Sequence, residues 1–301
     1  MGSERTENKT VIEELEYVKP RFVPNTLISG LVLLALLVAI YCGFISKQLP
    51  DFSAYSTVIL LFISFIICVT VTPKNYAVGF LTSLLPFVIA WRVGAMNNVT
   101  PVMAISSVGM FFFAIQFFDC MRNDQKNYKK DGGLGDIQWQ MTVVRIYFAF
   151  NEVGHCTEKL FAGMGSFQNL EQAFIRYGLH SNTAGYVIFA GLCELALAIG
   201  LGFGFLTRLA GLGGFLYILS VNQFGGHFFN GYTWNIRASG GLSNGGWEYI
   251  LLLLVFFGSF TLSGGGKFSL DYWLIRRNLM PSFLIPLCLS KAAREDIIAK
   301  K

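Results

Sequence analysis

Charge is what this chain has least of. Of its 301 residues only 14% are Asp, Glu, Lys or Arg, against about 25% in an ordinary soluble domain. That scarcity excludes a soluble globular enzyme, and the 53% of hydrophobic residues excludes a disordered chain. The net charge of +5 is no nucleic-acid footprint, because the basic residues gather at the ends and in certain loops, so no nucleic-acid partner is expected. The six cysteines (Cys42, Cys68, Cys120, Cys156, Cys193, Cys288) are scattered without a CxxC pair, which excludes a disulfide scaffold. The three histidines (His155, His180, His227) form no HxxxH or His/Cys cluster, so no metal site is expected. Ser263-Gly264-Gly265-Gly266-Lys267 lacks the first Gly and the following Ser/Thr of a phosphate loop, and no dinucleotide-binding fingerprint follows a strand. No flavin, haem or iron–sulfur ligand set is visible. The first 25 residues are polar and of mixed charge, and no cleavable signal peptide is expected there.

What the chain has is long apolar blocks. A helix needs about 20 mostly apolar residues to cross a bilayer. The blocks run 27–45, 55–72, 76–93 (with Pro86 as an expected kink), 101–118, 142–162, 184–206, 209–224 and 247–262. They predict an all-α, polytopic membrane protein of about eight transmembrane helices. The expected organisation is a tail (1–25), an N-terminal four-span region (26–120), a charged inner loop (121–141), a C-terminal four-helix bundle (142–272) and a basic interfacial tail (273–301). The apolar stretch 279–289 is short and holds Pro281 and Pro286, so it reads as interfacial. With both termini inside, only Lys47, Arg92, Arg176 and Arg237 fall on outer loops, while the other loop Lys and Arg lie inside. That asymmetry predicts cytoplasmic termini and a plasma or inner membrane.

Ionisable groups inside the spans are costly and each needs a reason. They concentrate in the C-terminal half. Arg145, Glu152 and Lys159 stand seven apart, nearly two turns, and so share one helix face. Glu194 lies near the middle of the next span, at a depth similar to Glu152, with Lys159 about 10 Å further out by helical rise. Two readings stay open: a structural charge network, or a polar pocket whose carboxylate exchanges protons with a redox-active ligand. The glycines of 200–204 and 211–214 suit close helix packing.

The loop 225–246 is rich in Gly, aromatic and polar residues. It reads either as an interfacial aromatic belt or as a cap placing His227 and Glu248 near Lys159. Trp234 and Trp247 are candidates to stack on a ring, with interface anchoring as the alternative.

Four pieces in order carry a resemblance: Arg145…Glu152…Lys159-Leu160-Phe161; Glu194…Leu206-Thr207-Arg208-Leu209-Ala210-Gly211; His227-Phe228-Phe229-Asn230-Gly231-Tyr232-Thr233-Trp234; and Gly245-Gly246-Trp247-Glu248-Tyr249 with Gly264 to Asp271. From Arg145 to Asp271 the chain resembles the DoxX/DoxD family of small membrane proteins. The resemblance implies a four-helix core. It also implies kinship with the membrane subunit of thiosulfate:quinone oxidoreductase, which joins two thiosulfates to tetrathionate and sends the electrons to quinone. The region before Gln140 lies outside the resemblance.

Three functions are carried forward. The first is an oxidoreductase or its membrane subunit, with quinone as substrate, Glu152, Glu194 or Glu248 exchanging protons, and Lys159, His227 and Arg145 drawing in a small anion such as thiosulfate. The second is a non-catalytic accessory subunit, partnered by lipid and by other membrane-protein subunits of a larger energy-converting complex. The third is a transporter or cargo receptor.

Overall fold

In the computed structural model the described residues are 19–131, 134–225 and 247–299. His227 and Trp234, with the rest of the loop that holds them, lie outside the described residues. The described residues are helical throughout, with one isolated β-bridge between Gly264 and Leu289.

Helix α1 (Asn25–Ile40) starts after Pro24 and ends in a π-turn, Tyr41–Ile45. It is followed by α2 (Asp51–Thr70), α3 (Tyr76–Met96) and α4 (Thr100–Asp131). Then come α5 (Asp136–Leu160), α6 (Met164–Arg176), α7 (Thr183–Ile199) with a π-turn at Gly200–Gly204, α8 (Thr207–Gly225) and α9 (Trp247–Ser263). Three short helices close the chain: α10 (Leu270–Arg276), α11 (Ile285–Cys288) and α12 (Lys291–Ala299). The dominance of helix has a physical cause, since in hydrocarbon each backbone N–H and C=O must be paired within its own segment.

The protein is a polytopic, all-helical membrane protein. Among the described residues, 5 helices are long and apolar enough to cross a membrane: Asn25–Ile45, Asp51–Thr70, Tyr76–Met96, Thr100–Lys126 and Thr183–Gly204, with Trp247–Ser263 a shorter apolar helix. Of the about eight helices expected, five qualify on length and composition, and α5, α8 and the shorter α9 do not.

Helix α3 continues through Pro86, which lies buried inside it. Neighbouring helices surround α3, and such packing tolerates an internal proline. Two local expectations change. The charged stretch expected as an inner loop is largely the end of α4, since no Gly or Pro interrupts the sequence from Met110 to Asp131. Asp124 then ties this end to the start of α5, accepting from the Leu134 N–H at 3.0 Å and the Trp139 Nε1–H at 2.7 Å. Helix α6, amphipathic and inserted between α5 and α7, has no counterpart in the sequence reading.

The two halves pack as one body. Leu85 and Val88 on α3 face Ile146, Ala149 and Val153 on α5. Polar glue supplements apolar packing, as where the buried Ser64 hydroxyl on α2 donates to the Ser83 carbonyl on α3 at 2.9 Å.

Candidate functional site

The three charges of α5 do share a buried face: Arg145 is 0% exposed, Glu152 1% and Lys159 8%. They do not share one job.

Arg145 ends on backbone. Its Nη1 donates to the carbonyls of Leu201 and Gly202, and its Nη2 donates to the Phe268 carbonyl at 2.6 Å. The Leu201 and Gly202 carbonyls belong to the π-turn that ends α7, where carbonyls lack helical partners. From the other side the buried Asp271 carboxylate accepts from the Leu206 N–H at 2.7 Å, the Thr207 N–H at 2.9 Å and the Thr207 hydroxyl at 2.8 Å. Burial pushes the Asp271 carboxyl up and these donors pull it down, with burial the larger influence. Arg145 and Asp271 thus clamp the turn from α7 to α8. The expected role of Arg145 in drawing in an anion gives way to this one, because its terminal nitrogens are taken by carbonyls.

Gly204 sits at this turn with φ +65° and lies against Ser269 and the Arg145 guanidinium. A side chain there would meet both the strain of a left-handed backbone and the clamp itself.

Further along α5 lies the ionisable cluster. Lys159 Nζ is 3.0 Å from Glu194 Oε2 on α7 and 3.4 Å from Glu158 Oε1. Lys159 and Glu194 are almost wholly buried, which makes this a true interior ion pair. The helices meet closely here: a Cβ on Gly191 would fall 2.9 Å from the Lys159 Cβ. Lys159 was expected a step further out than the two acids, and its long side chain instead reaches Glu194. Its charge is spent on two carboxylates rather than offered to an anion.

The other oxygen of Glu194 accepts from the Tyr217 hydroxyl on α8 at 2.7 Å. Sequence reasoning did not single out Tyr217. It sits in an apolar run, and its polar tip has meaning only once α8 is packed against α7.

Glu152 lies within electrostatic reach of Glu194, Lys159 and His155. Its Oε1 accepts from Asn151 Nδ2 at 3.2 Å, and its buried Oε2 has no hydrogen-bond partner among the described residues. Asn151 Oδ1 accepts from the Tyr249 hydroxyl at 2.6 Å, which joins α5 to the start of α9. Glu248 is half-buried beside it, its Oε1 without a hydrogen-bond partner among the described residues. Trp247 is 44% exposed.

A groove of about 460 Å³ opens between α7 and α8, in the size range of small-ligand sites. Cys193, Leu197, Leu209, Gly213 and Tyr217 are among its lining residues, the wall is almost wholly apolar, and the Tyr217 hydroxyl is bonded to Glu194. The groove is open at the side of the bundle. Gly213 faces empty space, while Gly200 and Gly214 press on Ala210 and Phe257. The glycines expected to serve packing therefore divide: most bring helices together, and Gly213 leaves room. Among the described residues no cluster of His, Cys, Asp and Glu is fit to hold a metal ion, and all six cysteines are free.

The model of the DoxX family matches residues 140–224, which covers most of α5 to α8 and so contains Arg145, the ion pair and the groove, while Phe268 and Asp271 of the clamp lie outside it. The motif 245–271 lies beyond the matched stretch. No curated protein and no solved structure matches the chain.

Proposed function

We propose that this membrane protein with its DoxX domain is an oxidoreductase, or the membrane subunit of one, that takes quinone from the bilayer into the groove between α7 and α8. One observation carries the reading: an open apolar groove lined in part by Tyr217, whose hydroxyl is bonded to a buried carboxylate. A quinone needs an apolar cleft for its ring and tail and a donor for its carbonyl oxygen, and Tyr217 becomes that donor when its one O–H turns from Glu194 to the quinone. Glu194 holds the phenol in place and is paired to Lys159 behind it. Glu152 and Glu248, each with a bare carboxyl oxygen, are further protonatable groups at the same end of the bundle. The electrons come from a small oxidisable anion such as thiosulfate. Two thiosulfates give one tetrathionate and two electrons, and quinone with two electrons and two protons gives quinol. Lys159 acts here through Glu194. His227, just past the end of α8 in sequence, is the candidate to meet the anion, and Trp234, further along in sequence, to stack on the ring. Both termini lie in the cytoplasm in this reading, and the anion arrives from the opposite side.

The test is thiosulfate-dependent quinone reduction by the purified full-length protein. Glu194→Gln keeps an acceptor for Tyr217 and removes the charge. It is expected to lower turnover by about 100-fold, the scale of a lost proton-transfer group. Unchanged turnover in a well-folded variant contradicts the proton role.

A second reading, a non-catalytic accessory subunit that binds quinone or lipid within a larger membrane complex, draws support from Lys159, whose charge is already neutralised by Glu158 and Glu194. Gentle purification separates the two. Stoichiometric co-elution with other subunits and no turnover alone favours the accessory role.

A further inference from the structure

The ion pair behind Tyr217 does not end at Lys159. Lys159 Nζ is 3.4 Å from Glu158 Oε1, and the same oxygen is 3.5 Å from His155 Nδ1. With the 2.7 Å bond from Tyr217 to Glu194 and the 3.0 Å pair from Glu194 to Lys159, five ionisable side chains stand in file. Exposure rises along the file: the Glu194 side chain is 6% exposed, Lys159 7%, Glu158 27% and His155 53%. One end touches the groove and the other opens at the end of the bundle where α5 turns into α6.

We infer that Tyr217, Glu194, Lys159, Glu158 and His155 form a proton path joining the groove to the aqueous face at the α5–α6 end of the bundle. The inference rests on the quinone reading of the groove and deepens it, since it fixes the side of the membrane from which quinone takes its protons. A structural network needs its charges paired. It does not need a ladder of decreasing burial that ends on a histidine, the side chain that most readily exchanges protons near neutral pH.

The transfer balances. As a quinone oxygen is reduced, the Tyr217 O–H bond breaks and a quinol O–H bond forms. The Lys159 ammonium then protonates Glu194 at Oε2, and the carboxylic acid, on turning, delivers that proton to the phenolate and returns to carboxylate. Lys159 regains its own through Glu158 from the His155 imidazolium, which is recharged from water. Two such passes, with two electrons from the anion, complete the quinol. The titratable groups acting on the path are Glu152 and Cys156 on α5 and Cys193 on α7. Helix α6 adds Ser166, whose hydroxyl donates to the Glu158 carbonyl at 2.8 Å and fixes that end.

The experiment uses the full-length protein in liposomes with decylubiquinone. Quinone affinity is measured first. The bound quinone is then reduced photochemically while an external dye follows proton uptake. Glu158→Gln and His155→Gln are expected to bind decylubiquinone as wild type does and to take up protons about 100-fold more slowly. External imidazole is expected to restore His155→Gln and to leave Glu158→Gln slow. His155 is exposed, so its variant keeps the fold even if Glu158→Gln does not. Normal binding with normal uptake in His155→Gln overturns the path and leaves the quinone reading standing. Slow uptake that imidazole leaves slow removes His155 from the path. No quinone binding by the wild type overturns the quinone reading and the path with it.

Discussion

Arg145→Met is expected to cost about 3 kcal/mol or more of stability, because it orphans backbone carbonyls of Leu201, Gly202 and Phe268 around a fully buried side chain. Each buried acceptor left without a donor costs roughly 1–3 kcal/mol, and methionine fills the space without replacing any donor. Arg145→Lys is expected to fall between, since one ammonium lacks the planar fork that reaches several carbonyls together. The check is thermal unfolding of the purified variants, with quinone affinity measured on the fraction that remains folded. A clamp loses stability and keeps affinity. An anion-binding arginine would show the reverse.

The second large effect concerns the ion pair. Lys159→Met leaves Glu194 buried beside Glu152 with no cation between α5 and α7. Removing one partner of a buried pair costs about 3–5 kcal/mol. Adding Glu194→Leu removes the stranded charge, and the double variant is expected to recover most of that loss. Its remaining deficit is the Tyr217 hydroxyl, which loses its acceptor. Unfolding midpoints of the two single variants and the double variant give the coupling directly. Additive losses would mean that the 3.0 Å approach of Lys159 to Glu194 carries no interaction energy.

Which of these features the sequence discloses depends on their physical range. The spacing of Arg145, Glu152 and Lys159 is a property of one helix, and the face it implies is the buried face observed. Glu194 is conspicuous because a charge within an apolar run has few explanations. The partners are another matter. Arg145 answers to carbonyls 56, 57 and 123 residues away, and every residue type has a carbonyl, so nothing in the sequence marks them. Tyr217 looks like one more aromatic in an apolar helix until α8 is laid against α7. The groove depends on the π-turn at Gly200–Gly204 and on which glycine faces outward; Gly200 and Gly213 are the same residue in sequence and opposite in space. Glu158 stands next to Lys159, off the seven-residue face, and becomes part of the cluster only because the Lys159 side chain bends toward it. Helix α6 reads as an outer loop because its apolar residues are too few and too interrupted to suggest a span. The end of α4 reads as a loop because its residues are charged, although no Gly or Pro lies between Met110 and Asp131.

The account turns on the groove being the place where quinone sits. A photoreactive quinone added to membranes containing the full-length protein, with the label mapped by peptide, addresses this most directly. Label is expected on the α7 and α8 segments between Cys193 and Tyr217. It is expected to be lost in Gly213→Phe, where a Cβ meets no neighbour and the ring would occupy the groove that Gly213 lines. Label on other helices, or undiminished label in a stably folded Gly213→Phe, would contradict it.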